Sequence, residues 1–151
     1  MRQIAIGNPE LGELARMLRK VDFFSPLTVG QLEQVLPRVM LFSANEGETV
    51  FKKGTVGDAF YIVYKGRVQV RLPRFLVLSR TVAELGPGAF FGEMALISEE
   101  PRAATIVCAE PTLLFTLLAS DFKFVLDQNP AAAAQMAQIA AQRKFASSKA
   151  R

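Results

Sequence analysis

Between about Leu41 and Leu118 the chain is cut into short apolar runs by glycine-bearing turns at Gly47, Gly54, Gly57, Gly66, Gly86 and Gly88. Val68, Val70 and Leu72 alternate with Arg67, Gln69 and Arg71, the period-two signature of a half-buried strand. Lys65-Gly66 lies between this run and Phe60–Tyr64 and predicts a tight hairpin. Thr81–Leu85, Thr105–Cys108 and Leu113–Leu118 read as further strands. Many short strands at regular spacing predict a sandwich or jelly roll.

Helical spacing appears on either side of this segment. Asn8-Pro9-Glu10 predicts a helix start, with Asn8 as the cap and Glu10 at the positive end of the dipole; Leu11, Leu14, Ala15 and Leu18 follow as its apolar face. Phe23, Phe24, Ser25 and Pro26 break it. Thr28 opens a second helix, with Gln31 as capping-box partner and Leu32, Val35, Leu36 and Val39 on one face. After the strands, Ser120 is the expected cap of a helix carrying Phe122, Val125 and Leu126. Asn129-Pro130 ends it and starts another, rich in good helix formers. The expected class is α+β: one domain over residues 1–151, with helices over 1–40, a β-roll or jelly roll over 41–118, and C-terminal helices over 119–151.

Function classes fall away on composition. The chain has no histidine and one cysteine, Cys108. Histidine is the commonest general base and metal ligand, so Ser-His-Asp triads, Cys-His pairs and zinc chemistry are excluded, and metal-dependent cupins lack their usual ligands. No metal is expected. A lone cysteine forms no internal disulfide and points to the cytoplasm. No apolar run reaches the roughly 18 residues needed to span a bilayer, and residues 1–10 lack a signal-peptide pattern, so no membrane insertion is expected. The net charge of +4 equals the contribution of Arg143, Lys144, Lys149 and Arg151. A solvated basic tail explains it, which argues against a nucleic-acid partner.

Chemistry concentrates in residues 90–105, Phe-Phe-Gly-Glu-Met-Ala-Leu-Ile-Ser-Glu-Glu-Pro-Arg-Ala-Ala-Thr. Gly92 permits close backbone approach to a ligand. Glu93 to Ile97 can form a short helix whose first amides face an anion. Arg102 offers a planar fork of donors suited to phosphate. Glu93 would repel a phosphate by itself, but it accepts hydroxyls. Together these residues suit an anion that also carries a vicinal hydroxyl. Each alone is more simply structural: a surface ion pair for Arg102, core for Met94 and Leu96. The ordered set within one loop carries the reading.

That segment resembles the phosphate-binding cassette of cyclic-nucleotide-binding domains, and most of all that of protein kinase A regulatory subunits. Gly92, Glu93, Ala95, Leu96, Pro101, Arg102, Ala103, Ala104 and Thr105 match the family pattern at its spacing; Met94 replaces the usual Leu or Ile. Gly54, Gly57-Asp58, Tyr61-Ile62, Gly66 and Val68 also resemble the family's roll. The resemblance implies that Arg102 holds the exocyclic phosphate oxygens and that Glu93 accepts the ribose 2′-hydroxyl. It implies that Gly92, Ala95 and Ala103, with Ala104 beside them, supply amides or close approach. Val70, Leu72 and Leu85 are candidates for the base pocket, which no motif fixes. Cyclic-GMP-selective members often carry Thr after the arginine; Ala103 here favours cAMP, with cGMP as the other possible ligand.

The resemblance also implies a mechanism. Phosphate capture would draw the cassette inward and release a hinge helix at Ser120–Gln128, and a lid helix from Pro130 to Phe145 would fold over the base with Met136, Ile139 and Phe145 as its anchors. Packing of these three on the roll is the equal alternative. The 21 residues after Pro130 are too few for a helix-turn-helix domain. The expectation is a receptor without catalysis acting on an unidentified protein effector; a non-binding adaptor domain, or the regulatory fragment of a larger protein, is the alternative.

Overall fold

A computed structural model describes residues 1–151 except 22–23, 75–77, 97, 99 and 150–151, and leaves aside the side chains of 140 and 143–149. The elements in order are β1 (Arg2–Ile4), α1 (Asn8–Lys20), α2 (Val29–Val35), β2 (Met40–Ala44), β3 (Thr49–Phe51), β4 (Ala59–Lys65), β5 (Val68–Arg74), β6 (Leu78–Leu85), β7 (Phe90–Phe91), β8 (Thr105–Cys108), β9 (Thr112–Leu118), α3 (Ala119–Asp127) and α4 (Pro130–Lys149). Among the described residues the strands form two antiparallel sheets, one ordered β1-β2-β9-β4-β7 and the other β3-β8-β5-β6. The expected α+β roll with flanking helices is the architecture found.

The central strands of the first sheet, β9 and β4, are buried on both faces, and this explains the unbroken apolar run of β4. Phe60 and Ile62 point to the helices, where they join Leu14, Leu18, Phe24, Phe122 and Val125. Ala59, Tyr61 and Val63 point into the roll, with Val68, Phe91, Ile106 and Leu114. The partner strand β9 repeats the division: Phe115 lies opposite Ile62, and Leu117 opposite Phe60. Phe24 meets both Phe60 and Phe122 edge-on, at centroid distances of 5.4 and 5.5 Å. Burying such a ring contributes about 1.5–3 kcal/mol. The seven-residue α2 is far too short to hold by propensity alone, so packing holds it.

Local signals fared unequally. Thr28 and Gln31 form the expected capping box, and α3 and α4 meet at Asn129-Pro130 as predicted. Asn8 and Ser120 are not caps. Gly7 caps α1, with Asn8 already in its first turn, and a bare glycine leaves room for the Glu10 carboxylate to fold back. Extended Leu118 caps α3, because β9 runs straight into the helix. Leu36 and Val39 lie beyond α2, in and after a 3₁₀ turn over Leu36–Arg38. Of the expected break over Phe23, Phe24, Ser25 and Pro26, Phe23 lies outside the described residues; α1 ends at Lys20, before the break, and Phe24 is a core residue. Strands β1 and β2 were not anticipated as a pair: Ile4 sits opposite Leu41 at the edge of the first sheet.

The hairpin at Lys65-Gly66 is corrected. The turn is there, but β4 pairs with β9 and β7 while β5 pairs with β6 and β8, so the chain changes sheets at Gly66. Gly66 has φ +97°, and a Cβ there would lie 2.5 Å from Thr112 Oγ1 and 2.6 Å from the Pro111 carbonyl. The corner is wedged against the turn before β9, which prevents the two strands from closing on each other. Gly54 has a similar φ of +87° but open space around it. Gly54→Ala should therefore cost only the backbone penalty of about 1–2 kcal/mol, and Gly66→Ala clearly more. Urea denaturation of both variants measures the difference, which is the steric part alone.

Candidate functional site

The loop from Gly92 to Ala104 leaves β7 and returns to β8. Gly92 turns it at φ +77°, and Glu93–Leu96 form a 3₁₀ turn. Its return is pinned to the loop between β3 and β4. Arg102 N–H donates to the Thr55 carbonyl and Gly54 N–H to the Arg102 carbonyl, each at 2.8 Å. Lys53 N–H donates to Thr105 Oγ1 at 2.9 Å, and Val56 bridges Pro101. With its backbone clamped on both sides, Arg102 turns its side chain inward and is 7 % exposed.

The buried guanidinium is solvated by the protein. Nη2 donates to the Ala59 carbonyl at 2.8 Å and Nη1 to the Gly92 carbonyl at 3.4 Å. Cζ lies 3.9 Å from the centre of the Phe51 ring and 5.9 Å from that of Tyr61. Asp58 Oδ1 is 3.7 Å from Nη2, but the Asp58 side chain is 83 % exposed, so solvent screens its compensation. Burial lowers the Arg102 pKa from its ordinary value, against the pull of Tyr61 and Asp58; guanidinium remains a cation regardless. Burial likewise raises the Tyr61 phenol, with Arg102 opposing and Asp58 adding. Arg102 Nε is buried without a hydrogen-bond partner. A buried cation with an orphaned N–H, and with no buried acid beside it among the described residues, suits an incoming anion.

Two glycines make this room. A Cβ on Gly92 would lie 2.8 Å from Arg102 Nη1 and 3.1 Å from the Ala59 carbonyl. One on Gly57 would lie 2.9 Å from Ala95 Cβ and 3.4 Å from Arg102 Cζ. Of the residues singled out from the sequence, Gly92, Ala95 and Arg102 are thus gathered at one point. Glu93 opens the 3₁₀ turn beside Gly92 and is half-buried; Ala103 is exposed and Ala104 half-buried on the same loop. The Ala95 amide donates to the Gly92 carbonyl at 3.1 Å, so here it serves the turn. Sequence reasoning missed Phe51 and the Ala59 carbonyl, and it gave Gly57 and Asp58 no role at the site. The Gly-Asp pair was a visible signal; Phe51 in a short apolar run offered none.

Val70 and Leu85 pack on the roll interior, and Leu72 is half-buried on β5. Of the two readings of Met136 and Ile139, lid anchors or packing on the roll, the packing is what is found: Met136 is buried with Ala132 in the cluster between helices and sheet, and Ile139 packs against it. The Phe145 side chain and the basic tail lie outside the described side chains. Among the described residues no group of three or more His, Cys, Asp or Glu is placed to hold a metal, and no helix is long and apolar enough to cross a membrane.

The fold is a two-sheet roll with flanking helices that holds a buried arginine in the loop between β7 and β8. The family profile of the cyclic nucleotide-binding domain matches residues 41–129, and the chain belongs to that family. It is 33 % identical over 135 residues to a cyclic nucleotide-gated potassium channel of Mesorhizobium japonicum, covering 89 % of this chain and 36 % of the channel. It is 36 % identical over 98 residues to the cyclic AMP receptor protein of Thermus thermophilus, covering 65 % and 45 % of the two chains. The solved regulatory domain of Toxoplasma gondii PKA with cAMP superposes with a TM-score of 0.72 at 26 % identity, over 80 % of this chain and 46 % of that one. The chain therefore spans less than half the length of each of these relatives.

The cost of the buried charge gives a test that needs no ligand. Arg102→Met keeps the volume and removes the desolvated cation, but takes a donor from the Ala59 carbonyl and from the Gly92 carbonyl, which keeps the Ala95 amide. These effects oppose each other at a few kcal/mol each. Arg102→Met should unfold within about 1 kcal/mol of wild type in urea, although Arg102 is buried. A loss above about 3 kcal/mol would make Arg102 a structural residue first.

Proposed function

We propose that this chain is a receptor for a cyclic nucleotide, cAMP in preference to cGMP, with no catalysis of its own. The observation that carries the reading is the buried Arg102 guanidinium, with its unpartnered Nε, in a cassette that matches the family pattern. Arg102 holds the exocyclic phosphate by charge-assisted hydrogen bonds. Glu93 accepts the ribose 2′-hydroxyl. Gly92, Ala95, Ala103 and Ala104 let the sugar-phosphate come close to the backbone. Ala103 has no hydroxyl to reward a guanine amino group, which favours adenine. The reading needs no metal. It is supported by the cAMP in the Toxoplasma regulatory domain and by the name of the Thermus receptor.

Binding is read out by the C-terminal helices. Leu96, on the 3₁₀ turn of the cassette, belongs to the same apolar cluster as Phe122 and Val125 of α3 and Met136 of α4. The first amide of α3, on Ala119, donates to the Asp58 carbonyl at 2.8 Å. A shift of the cassette on phosphate capture thus moves Leu96 and Asp58 together and alters the seat of α3. α4 follows, held by few anchors, and its far end becomes free to close over the base. The output goes to a protein effector, in the cytoplasm where cyclic nucleotides are made.

Calorimetric titration with cAMP and cGMP tests the reading. Wild type should bind cAMP more tightly than cGMP, and Arg102→Ala should lose at least an order of magnitude, from a deficit of about 2–5 kcal/mol. A flat titration with both nucleotides would identify a non-binding adaptor domain. The coupling has a separate readout in hydrogen exchange. Amides of α4 should change protection on adding cAMP by more than those of β5 and β6. Equal exchange with and without ligand would mean a static helix.

A further inference from the structure

The Arg102 guanidinium rests on a ring rather than on a carboxylate. Phe51, at the end of β3, presents its face 3.9 Å from Cζ. That ring is itself held by two others, Tyr61 at 5.9 Å and Phe91 at 5.8 Å between centroids. Tyr61 and Phe91 are cross-strand partners of β4 and β7 and stack on each other at 5.1 Å. The three rings make a floor contributed by both sheets. Phe51 also reaches under the cassette turn: a Cβ on Gly92 would sit 3.6 Å from Phe51 Cε2.

We propose that Phe51 is a positioning residue for phosphate capture, whose ring face holds the Arg102 guanidinium flat and inward before the anion arrives. This rests on the reading that the cassette binds a cyclic nucleotide. An aromatic face attracts a cation through its quadrupole, and more strongly where water is excluded. It compensates the charge without occupying the in-plane N–H donors, as a buried carboxylate would. The edge carrying the unpartnered Nε therefore stays available. The competing arrangement is an outward swing toward the solvent-exposed Asp58 carboxylate, already 3.7 Å away. Without the ring that outward form gains weight, and apparent affinity falls with the competent fraction.

The test uses the full chain, titrated calorimetrically with cAMP and cGMP, carrying phenylalanine with one, two or three ring fluorines at position 51. Fluorination drains the ring face step by step and leaves its shape nearly unchanged. Affinity should fall stepwise, by about three- to tenfold in all, with little change in the melting temperature. Phe51→Leu should lose as much as the trifluoro ring, and Phe51→Tyr should restore binding to within about twofold of wild type, since its ring face is retained. A flat fluorine series in a chain that binds nucleotide overturns the role of Phe51 and leaves the receptor reading intact. If Phe51→Leu does not fold, the fluorine series still decides. A wild type that binds neither nucleotide overturns the receptor reading and this inference together.

Discussion

The rest of the structure is arranged around one buried positive charge. Arg102 sits under the surface with no buried counter-ion among the described residues, and desolvation makes that unfavourable. Its neighbours answer the cost piece by piece: two backbone carbonyls, an aromatic face, and a carboxylate weakened by solvent. None of these satisfies Nε. The glycines follow from the same constraint. A side chain at Gly92 or Gly57 would strike the guanidinium or the turn that faces it. Donors held in place in this way would lose little in being ordered around an anion.

The second constraint is the sheet that faces two cores. β4 and β9 turn alternate residues toward the helices and toward the roll. The Ala59 carbonyl, which holds Arg102, is one residue from Phe60, which packs on Phe24 under the helices. Site and helices therefore share a rigid strand. Leu96 adds a second route, from the cassette directly into the helical cluster. A cassette joined to the helices through a shared strand and through Leu96 has the physical means to couple to them. Coupling still requires that ligand favour one helix position over the other.

Much of this was legible in order along the chain. The capping box at Thr28 and Gln31 and the break at Asn129-Pro130 are satisfied within a few residues, so sequence reasoning finds them. β8 appears at the predicted residues, and β9 begins one residue earlier than predicted. Asn8 and Ser120 had good capping chemistry, but the chain enters each helix from a position that moves the start elsewhere. Lys65-Gly66 has hairpin composition, yet the strands on its two sides belong to different sheets. Composition marks a turn; which strands pair across it is a long-range choice.

By itself the sequence determined the roll, the helices around it, and the ordered cassette from Gly92 to Thr105, because each rests on periodicity or on residues adjacent in the chain. Only the tertiary structure decided where Arg102 points and what it rests on. Phe51 lies 51 positions before it, and nothing in that short apolar run announces a cation. The same holds for Met136, for which the sequence left a place over a base and packing on the roll equally open, and which is found in the cluster between helices and sheet. An apolar side chain shows its wish to be buried in the sequence, but the surface that buries it is assembled from distant segments and exists only once they pack.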